Sequence, residues 1–190
     1  MGIMSYIVGF GLAAGAGLRA LLVVLGLGLF HYTEYFELSD PYLWIASPPV
    51  LAVVAVLALV EILADLSPDF SELADLAGYL PAAFAGFIAL SAATGQVDDS
   101  LLRLALSGVL GGAAGVGVRW ARNRVSETFR DASDVTFDGV HKTRSVGETA
   151  VTAGIVGTSF VFPFLAIGIL VGAVVFGMWT SKKVMAKMAK

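Results

Sequence analysis

The chain has 190 residues, of which 57% are hydrophobic and 14% are charged, and its formal net charge at pH 7 is −3. An average soluble domain carries about 25% charged residues, so the composition excludes an ordinary soluble domain. The small net charge gives no reason to expect a nucleic-acid partner. The absence of cysteine excludes a disulfide framework, a thiolate metal site and a cysteine nucleophile.

The first half of the chain contains three apolar stretches. The first, Ile3 to Phe30, has no basic start and is too long for a signal-peptide core, so it is predicted to be one membrane span. A polar, aromatic loop follows over residues 31–46. Pro48 and Pro49 then open a second span that ends near Asp65, since proline is tolerated at a helix start. A third span is predicted from Pro81 to Thr94.

The second half begins with a fourth span, Leu101 to Trp120, which is followed by a long polar segment, residues 121–145. This segment is predicted to be a loop. Residues 146–180 are apolar apart from a few polar side chains and are interrupted by Pro163. That length is too great for one span and short for two. A broken pair, Val146 to Phe160 and then Pro163 to Met185, is favoured, and one long kinked helix is the alternative.

A short segment recurs at a spacing of one hundred residues. Residues 8–20 read VGFGLAAGAGLRA and residues 108–120 read GVLGGAAGVGVRW, with six identities in thirteen positions. Such self-similarity indicates an internal duplication. We therefore divide the chain into a first repeat, residues 1–95, and a second repeat, residues 96–190, which together form one membrane domain.

Basic residues orient the predicted spans. They cluster in the 121–145 segment and in the C-terminal tail, and basic loops remain cytoplasmic. An even number of crossings between the two clusters favours six spans, with both termini cytoplasmic in a multi-pass cell-membrane protein. The two copies of the repeated segment would then run in opposite directions. The predicted fold is an all-α membrane bundle of two inverted three-segment repeats.

Charged residues inside or beside apolar spans are the candidate site. Insertion of a charged residue into a span costs roughly 2.5–3.5 kcal/mol, so such residues normally face protein or water. At 1.5 Å per residue, Arg19 lies roughly 24 Å from the inner end of its helix. That is too far for a direct pair with Glu61 unless the helices tilt or break, and Arg19 has no assigned partner. The other candidates meet near the inner end: Arg119, Glu61, Asp65 and Glu148.

Glycines precede both repeated arginines at every fourth position, at Gly11 and Gly15 and again at Gly111 and Gly115. This spacing puts each pair near one helix face, where small residues allow two backbones to approach closely in lipid. The same faces suggest a homodimer. No metal-ligand spacing, phosphate loop or catalytic triad is evident, so neither a metal, a cofactor nor an enzymatic activity is expected.

Three segments carry a resemblance to a known family. GLAAGAGLRA (11–20), SPPVL (47–51) and VEILADLSPDF (60–70) resemble the bacterial and archaeal membrane family catalogued as domain of unknown function 4126. The resemblance implies a small polytopic membrane protein and supplies no activity. In addition, GGAAGVGVRW (111–120) is similar to the opening Gly-Arg segment of small dual-topology fluoride channels, as an analogy of packing.

Two functions follow from these patterns. The leading hypothesis is a small transporter or channel for an ion or small solute, with its pathway between the two repeats and lined by the buried charges. The alternative is a non-transporting membrane scaffold or a lipid-binding protein, in which the glycine faces only pack helices. Membrane lipids are partners under either hypothesis.

Overall fold

Six α-helices and one 3-10 helix make up the regular structure of the described residues, and no strand occurs among them. The computed structural model describes residues 2–66, 76–95, 100–131 and 137–161, together with Gly168, Gly172 and Val175. The prediction of an all-helical chain is confirmed over these residues. The helices are α1 (Gly2–Leu18), α2 (Ala20–Phe30), the 3-10 helix (Asp40–Ala46), α3 (Pro48–Leu66), α4 (Tyr79–Thr94), α5 (Leu101–Asp131) and α6 (Phe137–Val161).

Helices α1 and α2 form a hairpin with Arg19 at its tip. The Arg19 backbone is extended, with φ −142° and ψ 93°. Its N–H donates to the Gly15 carbonyl at 3.1 Å and its carbonyl accepts from the Val23 N–H at 3.3 Å, so it ends one helix and begins the next. A Cβ at Gly15 would lie 3.4 Å from Cγ2 of Val23. In a straight helix these residues are about 12 Å apart, so α2 folds back on α1, and the prediction of one span is wrong.

Helices α4 and α5 form a second antiparallel pair with close backbone contact. A side chain at Gly111 of α5 would overlap the carbonyl oxygen of Gly86 in α4, and one at Gly115 would overlap the carbonyl of Ala82. Residue numbers at the contacts therefore decrease along α4 as they increase along α5, which makes the two helices antiparallel. Glycine is required at these crossings because even a methyl group would separate the two backbones.

Helix α1 runs antiparallel to α4 and therefore parallel to α5. Near its start, Gly9 contacts Leu90 close to the end of α4, whereas near its end Gly17 contacts the backbone of Arg119 in α5. The prediction that the two copies of the repeated segment run in opposite directions is wrong. The physical reason is the reversal at Arg19, which adds one change of direction between the first copy and the second.

The same geometry separates the N-terminus from the 121–145 segment. Helix α1 begins at the end of the bundle that holds Leu90, whereas Arg119 packs against Gly78 at the other end. The expectation that the N-terminus and the 121–145 segment share one side is therefore wrong for this fold.

Most of the predicted 121–145 loop is helical. Helix α5 continues to Asp131 and α6 begins at Phe137, so only residues 132–136 between them lie outside the description. Hydropathy reports where a helix leaves an apolar environment, and it does not report where the helix ends. The two helices continue past the apolar part of the bundle, and the predicted loop is wrong for that reason.

Two of the described helices are long and apolar enough to cross a membrane. They contain Pro48–Asp65 in α3, with a mean hydropathy of 2.1, and Leu101–Val125 in α5, with a mean hydropathy of 1.6. Helices α1, α2 and α4 are apolar but shorter. The predicted sixth segment and the Pro163 break lie outside the described residues, apart from Gly168, Gly172 and Val175.

The core of the bundle is built around the α1–α2 hairpin. Both arms contribute small or aliphatic side chains that are almost fully buried and pack against α4, the 3-10 helix and α6. The side chain of Val156 in α6 fills the space beside Gly26, and Ile155 lies against Gly15. This packing holds the hairpin tip, and with it Arg19, inside the protein.

Candidate functional site

Arg19 is fully buried and binds residues from two other helices. Its Nη1 lies 2.9 Å from Oδ2 of Asp65 and donates to the backbone carbonyl of Glu61 at 3.3 Å, both in α3. Its Nη2 donates to Oγ of Ser145 in α6 at 2.6 Å. The hairpin tip is thus tied to α3 and α6 by charge-assisted contacts, which are roughly twice as strong as neutral hydrogen bonds.

Asp65 is shared between two arginines. The oxygen that binds Arg19 also accepts from Nη2 of Arg122 at 2.9 Å. Arg122 in turn binds Oε2 of Glu148 through both Nε and Nη2, each at 2.8 Å. A continuous chain of ion pairs therefore runs from the hairpin through α3 and α5 to α6.

Glu61 binds the start of helix α2. Its Oε2 accepts a hydrogen bond from the backbone N–H of Leu21 at 3.3 Å. Arg19, the residue before α2, makes no side-chain cap of its own. The first N–H groups of a helix carry a partial positive charge and need acceptors. A carboxylate from a different helix therefore provides the capping contact for α2.

Arg119 lies beside this group. It is 3% exposed, and its guanidinium packs against Gly78, where any side chain would overlap it. Its backbone N–H lies against Gly17, two residues before Arg19. The predicted pairing of Arg119 with one of the three carboxylates stays a prediction.

The charges balance within this set, which we call the charge cluster. It consists of three arginines and three carboxylates: Arg19, Arg119, Arg122, Glu61, Asp65 and Glu148. Arginines bind the carboxylates of Asp65 and Glu148, and no group of three or more potential metal ligands occurs among the described residues. The arrangement can hold or exchange an anion at the arginines, or pass a proton or cation between the carboxylates.

The structure brings four of the five predicted charged residues together through hydrogen bonds and ion pairs, and Arg119 packs next to them. The sequence allowed Arg19 to approach Glu61 only if a helix tilted or broke, and the helix break at Arg19 meets that condition. Arg122 was missed because it fell in the predicted loop. The spacing of the arginines could have identified it as a site residue. Arg122 follows Arg119 by one helical turn, which puts both on one face of a helix that continues past Trp120.

The four predicted packing glycines have different surroundings. Gly111 and Gly115 lie where α5 touches α4, and Gly15 lies against Ile155 of α6. Gly11 is buried in α1. A further glycine of the first copy, Gly17, touches the backbone of α5, whereas its counterpart Gly117 has open space around it among the described residues. The two copies of the repeat are therefore packed differently.

Comparison with known proteins identifies a family and no activity. Residues 6–183 match the family model described as Domain of unknown function (DUF4126). No curated protein and no solved structure matches the chain. The match covers nearly the whole sequence, includes every member of the charge cluster, and confirms the resemblance seen in the three sequence segments.

Proposed function

The chain belongs to the DUF4126 family, and because that description names no activity, we propose a function from its structure: a multi-pass membrane transporter or channel. In this proposal an ion or small solute passes beside the hairpin tip, and the charge cluster forms the selective part of the route. Membrane lipids surround the bundle. A homodimer stays a prediction that rests on the small-residue faces.

The surface of α3 supports embedding in a membrane. Only 11% of the residues in Pro48–Asp65 are buried inside the protein, although this stretch has a mean hydropathy of 2.1. Large side chains such as Val56, Leu59 and Leu63 are each about 60% exposed or more. The apolar core helix of a soluble protein would be mostly buried, whereas a helix in lipid exposes its apolar side chains.

The burial of the cluster supports a role in permeation. Helix α1 has 17 residues, about 25 Å of helix, so its end at Arg19 lies near the boundary of a hydrocarbon layer of about 30 Å that is opposite to the N-terminus. Arg19 is fully buried in protein there, and charged residues within membrane bundles normally face a partner or an aqueous pathway. Broken helices that meet charged groups are a recurring way to build ion and solute sites in transporters.

One observation carries the proposal: a single oxygen of Asp65 binds both Arg19 and Arg122. Two cations that share one carboxylate oxygen can exchange partners with small movements. Buried ion pairs contribute little net stability because desolvation offsets their attraction. The presence of such a network in a membrane bundle therefore favours a role in ion transport over a purely structural role.

The basic segment gives the orientation. Positively charged segments remain cytoplasmic, so the end of the bundle with Arg122 and the α5–α6 connection faces the cytoplasm. The N-terminus, at the opposite end, then faces outward. The basic C-terminal tail stays cytoplasmic in this proposal, and the predicted last segment, outside the described residues, returns the chain to that side.

Flux through purified protein in liposomes tests this function. Wild-type protein should move at least one member of a panel of small ions and solutes, and Arg19→Gln should reduce that flux at least about tenfold, the effect of about 1.4 kcal/mol. Arg124→Gln is the matched control, because Arg124 is exposed on α5 and should leave flux near wild type. Absence of flux across the panel would favour the scaffold alternative.

A further inference from the structure

The carboxylate of Glu61 occupies an anion-binding position at the start of α2. It comes from α3, yet it accepts the hydrogen bond of the Leu21 N–H in the first turn of α2. Backbone N–H groups at a helix start and the helix dipole together form a site that favours negative charge. In this protein a side chain from another helix fills that position.

The surroundings of this position are more cationic than one helix start alone. Arg19 precedes α2, and its Nη1 donates to the backbone carbonyl of Glu61 at 3.3 Å. Arg19 is fully buried, and its Nε has no hydrogen-bond partner among the described residues. Buried donors are nearly always paired, so this one indicates a site that can accept a further acceptor group.

We propose that Glu61 is a tethered occupant of a small-anion site formed by the start of α2 and Arg19. A small monovalent anion, of the size of formate or a halide, takes the same position when the Glu61 carboxylate is absent or turned away. The inference rests on the proposed function and names its substrate class. Glu61 would return to the site when the anion leaves, so the first N–H groups of α2 would always have an acceptor.

Chemical rescue of Glu61→Ala tests the site without any flux measurement. Alanine removes the carboxylate and leaves open the space that it filled, so the positive position is vacant and uncompensated. In detergent, formate should raise the melting temperature of Glu61→Ala by at least about 2–4 °C, and the effect should saturate as ligand binding does. Gluconate, at equal ionic strength, is too bulky and should have no such effect.

The matched control is Glu148→Ala, because Glu148 binds Arg122 and not the start of α2. Formate should not raise its melting temperature above the gluconate value, nor that of the wild type. If Glu61→Ala folds only with added anion, the yield of monodisperse protein in formate against gluconate becomes the measurement. Equal behaviour of Glu61→Ala in the two salts, or recovery of folded protein in neither, overturns the inference, as does equal rescue of Glu148→Ala.

The flux and rescue experiments distinguish failure of the proposed transport function from failure of the proposed anion site. Formate-specific rescue of Glu61→Ala without flux of any solute through the wild type would keep the anion site and remove the transport function. Flux of cations or neutral solutes by the wild type, without any rescue by formate, would keep transport and remove the anion site.

Discussion

Oδ2 of Asp65 lies 2.9 Å from Nη1 of Arg19, and this contact joins the tip of the α1–α2 hairpin to the end of α3. Both side chains are almost fully buried. The same carboxylate oxygen also holds Arg122 of α5. Asp65 is therefore the acid through which the hairpin and the second repeat are connected.

Asp65→Asn should be the most destabilising neutralisation in the charge cluster. It removes the charge that compensates two buried arginines, and breaking a buried pair costs about 3–5 kcal/mol. Glu148→Gln is the control, since Arg122 then keeps Asp65 and Glu148 is the more exposed acid at 14%. Thermal and denaturant unfolding in detergent measures both. A loss of stability for Glu148→Gln as large as that for Asp65→Asn would contradict the central position of Asp65.

Arg122→Gln should destabilise the protein far more than Arg124→Gln, although the two arginines are neighbours on α5. Arg122 is buried between two carboxylates, so its loss leaves buried negative charge and costs about 3–5 kcal/mol. Arg124 is exposed and lies 5.6 Å from the ring centroid of Trp120, a cation–π contact that contributes about 0.5–1 kcal/mol at such sites. Melting temperatures that shift equally for the two variants would mean that Arg122 belongs to a solvated surface.

Hydropathy and charge predicted the helical class and most of the site residues, because burying a charge in an apolar stretch is costly and therefore visible in the sequence. They did not predict the reversal at Arg19. The stretch from Ile3 to Phe30 carries no charged residue apart from Arg19, and its length fits one tilted span as well as two short arms. The reversal depends on contacts with distant residues such as Glu61 and Ser145, which no local pattern records.

The error at Arg19 then changed the predicted topology. One missed change of direction inverted the expected relation between the two repeated segments and moved the N-terminus to the wrong end. The missed site residue has a related cause, because Arg122 lies where average hydropathy falls while the helix continues. Helical periodicity, followed past Trp120, would have put Arg122 on the same face as Arg119.

Gly111→Ala should destabilise the bundle, whereas Gly117→Ala should not. A methyl group at Gly111 would overlap the Gly86 carbonyl and push α4 away from α5, and overpacking typically costs about 1–3 kcal/mol. Gly117 lies in the same helix with open space around it, so alanine there should be neutral or stabilise by up to about 1 kcal/mol through helix propensity. Unfolding of the two single variants in one detergent gives the comparison. Equal destabilisation would contradict the close approach of α4 and α5.

A cysteine at position 3 and a cysteine at position 126 should lie on opposite sides of the membrane. The chain has no cysteine, so Ile3→Cys and Ser126→Cys each give a single thiol. Because α1 runs parallel to α5, its start lies at the opposite end from the α5–α6 connection. With the basic segment cytoplasmic, an impermeant thiol reagent on intact cells should label Ile3→Cys and leave Ser126→Cys unlabelled until the membrane is permeabilised. Labelling of Ser126→Cys alone would keep the fold and reverse the orientation, whereas protection of both thiols in intact cells would contradict the reversal of the chain at Arg19.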